Sequence, residues 1–235
     1  GDGAQDVVMI GSGAGESALY VGVPGAGMQY AGDLGVSTPI VQIGTGDFDG
    51  DGLDDVAIFL QGEIVVRYGE WVGLFGAETR IDLPWGVLAL GLDRLVAVGD
   101  LDRDGLDDLA FFGQYGLSSD VGVPIYFSLP GRRFEAGVPA ALSVGTARAI
   151  RIQDLNGDQR NEIVVFDSNV TRILSPTAGG EFRETDRVPV GTSNSIIPLL
   201  LDMNVDGLVD IVDTSREELT VHYAVRGRPC VGRLG

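Results

Sequence analysis

Acidic residues recur in this sequence at a spacing that suits a hard cation. Four nine-residue segments, 47–55, 100–108, 154–162 and 202–210, align without gaps. Oxygen-bearing side chains at positions one, three and five of such a turn point at a common centre, and a carbonyl at position seven with an acid at position nine closes a cage. Calcium takes roughly 6–8 oxygens at about 2.3–2.6 Å, water included. The candidate ligands are Asp47, Asp49, Asp51, the Leu53 carbonyl and Asp55 in the first complete copy, and Asp100, Asp102, Asp104, Leu106 and Asp108 in the next. The third copy offers Asp154, Asn156, Asp158, Arg160 and Glu162, and the fourth Asp202, Asn204, Asp206, Leu208 and Asp210. A partial site, Asp2, Ala4 and Asp6, opens the chain. With no His or Cys in these segments, the donor set argues against zinc or copper, and magnesium prefers fewer protein ligands in stricter geometry. Calcium is therefore the expected cofactor.

Position six demands a left-handed backbone, which glycine adopts without cost. Gly52, Gly105 and Gly207 stand there, but Gln159 replaces glycine in the third copy. An EF-hand uses a similar pattern but needs an acid at position twelve and flanking helices. Position twelve here is Ile58, Phe111, Val165 or Asp213, and the flanks read as strands.

The acid at position nine recurs at intervals of 49, 53, 54 and 48 residues, from Asp6 to Asp55, Asp108, Glu162 and Asp210. Each is followed by a short run, at 7–10, 56–60, 109–112, 163–166 and 211–212, that is apolar and largely β-branched or aromatic. Such runs are too short for helices, and continuous apolarity points to burial on both faces. Runs at 95–98, 149–152 and 196–201 lead into the loops, and strands are expected near 63–68 and 78–83. Each repeat thus reads strand, acidic loop, strand, strand, strand. The predicted fold is all-β: one β-propeller domain or fragment over 1–235, with about five four-stranded blades (roughly 1–36, 37–88, 89–143, 144–191 and 192–235). The first blade lacks its entering strand and half its loop. Gly1 is accordingly expected not to be the native start; upstream sequence or another chain supplies the missing strand, with the segment 225–235 as an internal competitor. An edge strand left unpaired at 7–10 invites strand addition.

The loops and their following strands resemble the FG-GAP/VCBS repeat family, as in the calcium-bearing blades of integrin α-subunits. The stretch 21–27, Val-Gly-Val-Pro-Gly-Ala-Gly, is similar to the Gly-Ala-Pro element of that family, and 121–124 echoes it in part. The resemblance implies a propeller of typically seven blades, calcium between the first two strands of a blade, and an extracellular or cell-surface setting. The chain holds fewer repeats than such a ring.

The formal net charge is −18, which repels nucleic acid and anionic membranes. No apolar run is long enough to span a bilayer as a helix, so no membrane insertion is expected. All sixteen residues of the lysine and arginine class are arginine. Cys230 is the only cysteine, which rules out a disulfide within these residues.

No catalytic constellation stands out. His222 is the only histidine and no Gly-x-Ser-x-Gly elbow is present. The chain is therefore expected not to be an enzyme. Three functional readings follow: an adhesion or recognition module for protein or glycan; a structural subunit of an extracellular filament or assembly with inter-chain strand pairing; or the non-catalytic propeller part of a polysaccharide-active enzyme. Trp71 and Trp85 either stack on sugars or partner side chains or fill the core. Asn169-Val-Thr171 forms a glycosylation sequon.

Overall fold

The computed structural model describes residues 5–11, 16–70, 75–83, 95–114, 121–142, 147–190, 197–214, 219–227 and 233–234. Trp71, Trp85, Cys230, Asp2 and Ala4, singled out above, lie outside them. Every regular element among the described residues is a strand. The chain forms two compact units, one of residues 1–93 with 128–134 and one of 94–127 with 135–235.

The first sheet has three strands, β1 (Val7–Ile10), β2 (Ser17–Val23) and β3 (Gly27–Gly32), in that spatial order. The second is a four-stranded meander of β4 (Gln42–Gly46), β5 (Asp55–Phe59), β6 (Glu63–Gly69) and β7 (Phe75–Asp82). In the third repeat β8 (Val96–Gly99) and β9 (Asp108–Phe111) are followed by β10 (Gly113–Gln114), β11 (Val121–Val123), β12 (Ile125–Leu129), β13 (Arg133–Ala136) and β14 (Ala140–Ala141). Here the order β8-β9-β12-β13 repeats the meander, while β10, β11 and β14 form a small extra sheet that the sequence pattern does not announce. Pro124 separates β11 from β12: with no N–H it cannot extend a ladder on that side, and the strand changes sheets there. The fourth meander is β15 (Ala147–Gln153), β16 (Glu162–Asp167), β17 (Val170–Pro176) and β18 (Phe182–Pro189). The fifth is β19 (Leu199–Leu201), β20 (Asp210–Thr214), β21 (Leu219–His222) and β22 (Arg233–Leu234).

The strand after each acidic loop occupies the second place of its meander, as its apolar run requires. β5, β9 and β16 are buried at every residue. In the first unit Val56, Ile58, Leu60 and Val65 pack with Leu34 and Val36, and Val8 of β1 closes against this cluster. In the second unit one cluster joins the third and fourth repeats through Leu101, Ile125, Ile150, Ile163 and Phe182, and another joins β16 and β17 to Ile211 of β20. Burial on both faces is thus supplied by sheets packed face to face. Among the described residues, β1 pairs on one side only, with β2.

Candidate metal loops

Each acidic loop bridges the first two strands of a meander and is built by its own carboxylates. In loop 47–55, Asp47 accepts hydrogen bonds from the backbone N–H groups of Gly50 (2.7 Å) and Gly52 (2.9 Å), and Asp51 accepts from Leu53 N–H (2.8 Å). The same pattern holds where Asp100 accepts from Arg103 and Gly105, Asp154 from Gly157 and Gln159, and Asp202 from Gly207. Asp and Asn favour such turns because a short side chain reaches the backbone two to five residues on. Position six is left-handed in every copy, with φ of 82° at Gly52, 89° at Gly105, 66° at Gln159 and 85° at Gly207. Position four is left-handed too, at Gly50, Arg103, Gly157 and Val205. The sequence did not signal this, since two of those four residues are not glycine.

The acid at position nine is the anchor. Asp55 is fully buried and takes two backbone donors, Phe48 N–H on Oδ2 and Gly69 N–H on Oδ1, each at 2.8 Å. Asp210 repeats this with Met203 N–H and Ala224 N–H. Asp108 holds Leu101 N–H, and Glu162 holds Leu155 N–H. One carboxylate thus ties the loop's start to the strand beneath it and reaches on to Gly69 at the end of the third strand, to Ala224 just past it, or, for Glu162, to the Ser175 side chain within it. Burial pushes the Asp55 carboxyl up to about 6, against the lowering effect of its two backbone donors and with a further push from Asp49 and Asp51. Burial likewise raises Glu162 to about 7, with Asp158 and Asp154 adding to it. Asp102 is also raised, chiefly by burial and then by Asp104. Carboxylates crowded in this way are held charged most readily by a cation.

In two loops the convergence is direct. Asp47, Asp49 and Asp55 present carboxylate oxygens within 4.8 Å of one another, as do Asp100, Asp102 and Asp108. The donors are hard oxygens alone, which fits calcium chemistry. Asp51 and Asp104, at position five, stand outside these triads, each accepting a hydrogen bond from the N–H at position seven. Leu53, Leu106 and Leu208 at position seven bury their side chains as plugs under the loops. Arg160 takes that place in the third copy. There the Asn156 amide donates to Glu162 Oε1 at 2.7 Å, so the longer acid is engaged by the loop's own side chain. In the fourth copy the Asn204 amide donates to Asp206. Of the partial site, Asp6 is described, and its Oδ1 accepts from Gly22 N–H at 2.9 Å.

One side chain at a candidate loop escaped sequence reasoning. Arg132, at the turn between β12 and β13, donates through Nε to Asp49 Oδ2 at 2.8 Å, and its guanidinium lies 4.4 Å from the centre of the Tyr68 ring. A hydrogen-bonded path holds it there, Tyr68 hydroxyl to Thr79 Oγ1 and Thr79 Oγ1 to the Arg132 carbonyl. A cation from the third repeat therefore sits on a candidate ligand of the second. At loop 154–162 the turn of the next repeat makes a backbone contact, Gly227 N–H donating to the Asn156 carbonyl.

His222 falls in β21, paired across from Ile211. Asn169 of the sequon is exposed at the β16–β17 turn, with Thr171 buried.

No family model matches the sequence, and no curated protein matches it. Among solved structures the chain is similar to an Agrocybe aegerita lectin described as specifically recognising non-reducing terminal N-acetylglucosamine. The TM-score is 0.70 at 18% identity, over 97% of this chain and 61% of the lectin. It also aligns with a Photorhabdus luminescens Tc holotoxin pore, at TM-score 0.49 and 19% identity, over 94% of this chain and 10% of the toxin. The chain therefore shares an all-β fold with the lectin and spans less than two thirds of its length.

Proposed function

We propose that this chain is an extracytoplasmic calcium-binding β-propeller module of the FG-GAP/VCBS type that recognises protein or glycan partners and has no catalytic role. The observation that carries the metal reading is the convergence of the acids at positions one, three and nine on one point in two loops. Neutralising them with a divalent cation removes their mutual repulsion and locks the turn that joins the first two strands of a blade. Recognition is then a matter of loops held rigid by the ions.

The recognition half of the reading is supported by the fold shared with a glycan-specific lectin and by a cleft of about 470 Å³ in the second unit. Phe127, Glu135, Arg160, Glu181 and Phe182 line it, and Asp102 borders it. An aromatic ring beside carboxylates and a guanidinium offers a sugar one apolar face and several hydrogen-bonding partners. For an extracellular module, calcium affinity in the roughly 10⁻⁴–10⁻³ M range is the expectation.

Calorimetric titration with calcium, followed by glycan-array binding with and without chelator, tests both halves. Saturable calcium uptake with calcium-dependent glycan or protein capture is the expected result. Absence of any calcium heat in fully stripped protein refutes the metal reading. Capture that chelator leaves unchanged refutes the coupling of recognition to calcium.

A further inference from the structure

Loop 47–55 is served by a cation of the chain's own. Arg132, from the β12–β13 hairpin of the following repeat, donates through Nε to Asp49 Oδ2 at 2.8 Å and lies 4.4 Å from the centre of the Tyr68 ring. Beneath it the Asp49 side chain is only 7% exposed. A carboxylate on one side and an aromatic face on the other make a seat for a planar guanidinium. The first accepts its N–H groups, and the second attracts its charge through the quadrupole of the ring.

The third repeat rebuilds both walls of that seat. Aligned on the acids at position nine, Asp102 stands where Asp49 does. Val56 faces Arg67 across β5 and β6, and Leu109 faces Tyr126 across β9 and β12, so Phe127 takes the place of Tyr68. The hairpin that follows is in step as well. Phe134 packs against Phe48 at position two of loop 47–55, and Phe182 clusters with Leu101 at position two of loop 100–108. Two residues before each phenylalanine the backbone is left-handed, at Arg132 with φ of 62° and at Gly180 with φ of 79°. The counterpart of Arg132 is therefore a glycine, and no guanidinium comes from that position.

In its place lies the cleft of about 470 Å³, which Asp102, Phe127 and Gly180 all line. Glu135 and Glu181 add two carboxylates to it, against the single guanidinium of Arg160. Glu181 pairs with Arg183. Among the described residues no ion pair engages Asp102 or Glu135, and Asp102 remains exposed.

We infer that the cleft between loop 100–108 and the β17–β18 turn receives an arginine side chain of a protein partner, its guanidinium hydrogen-bonded to Asp102 and laid on Phe127 as Arg132 is on Asp49 and Tyr68. The inference rests on the reading of this chain as a recognition module, and it assigns this cleft to protein. Arginine suits the seat better than lysine, because only a planar fork can present its edge to a carboxylate and its face to a ring together. The net charge of −18 draws a basic partner surface toward the chain. The walls and the cleft require no metal.

The probe is Nα-acetyl-arginine amide, titrated into the full chain in chelator and followed by two-dimensional amide NMR, beside the isosteric citrulline derivative, which carries no charge. Saturable shifts at the Asp102, Phe127 and Gly180 amides are expected with arginine and none with citrulline. Gly180→Arg supplies the counterpart of Arg132 at a position where a Cβ meets no atom within 4 Å. As a tethered competitor it weakens probe binding about tenfold or more. Gly180→Ala carries the same backbone cost without a guanidinium and binds the probe as wild type does. Asp102→Asn removes the charged acceptor and weakens binding about tenfold. The inference is overturned if arginine gives no saturable shifts, if citrulline shifts the same amides equally, or if Gly180→Arg leaves binding unchanged. A glycan that shifts these amides and that arginine cannot displace also overturns it, while upholding the recognition reading. Loss of all glycan and protein capture by the intact chain defeats that reading, and with it the assignment of a protein partner, even where free arginine binds.

Discussion

Asp55→Asn separates a carboxylate kept for structure from one kept for a cation. In calcium-free protein near pH 7.5 the native state holds the Asp55 charge in a buried site, with its ionisation raised from 3.8 to about 6. At about 1.4 kcal/mol per unit, that charge costs on the order of 3 kcal/mol relative to the unfolded chain. Asparagine removes this cost but has a single acceptor oxygen for Phe48 N–H and Gly69 N–H. Leaving one buried donor unpaired costs about 1–3 kcal/mol. The two effects nearly cancel, so in chelator the variant should melt close to wild type. Calcium at about one hundred times its Kd stabilises the wild type by about 2.7 kcal/mol per site, or roughly 5–10 °C for a chain of this size. The variant should lose most of that increment for loop 47–55. The assay is calorimetric melting of both proteins in chelator and in saturating calcium. An equal loss in both conditions refutes the reasoning, because Asp55 is then a structural acceptor with no stake in a cation.

Three further outcomes follow from the same geometry. Asp55 and Glu162 are both raised, from 3.8 to about 6 and from 4.5 to about 7, so between those limits the native state keeps protons that the unfolded chain has released. Stripped protein should therefore lose stability as pH rises from about 4 to about 7, and melting curves that rise over that window contradict this. Loop 154–162 should fill last at limiting calcium, because Asn156 already occupies Glu162; site-resolved occupancy with that loop filling first would count against it. Arg132→Gln should raise calcium affinity at loop 47–55 severalfold by freeing Asp49 from a competing cation, measured by calorimetry, and a fall in affinity would show that Arg132 props the loop open for the ion.

The amino-acid sequence by itself determined the features that depend on near neighbours. The repeat, the loops and the strands after them follow from turn chemistry and apolar runs only a few residues long, and β5, β6, β9, β15 and β16 lie close to where those signals put them. The left-handed backbone at Gly52 and Gln159 was legible because position six of the turn requires it.

What only the tertiary structure decided depends on groups far apart in the chain. Arg132 reaches Asp49 across 83 positions, and the Asn161 amide donates to the Asp100 carbonyl across 61. No local pattern encodes such contacts, because they arise where one repeat's hairpin lands on another's loop. The small sheet of β10, β11 and β14 is likewise a matter of where Pro124 breaks a ladder. At position five, Asp51 and Asp104 each accept a hydrogen bond from the N–H at position seven, a contact the spacing did not spell out. The role of position nine was visible only in part: the spacing marked an acid, but packing buried it, raised the pKa of Asp55 and Glu162, and made it the link between loop and sheet. Burial is a property of the surrounding sheets, and a carboxylate acquires that environment only once they have assembled around it.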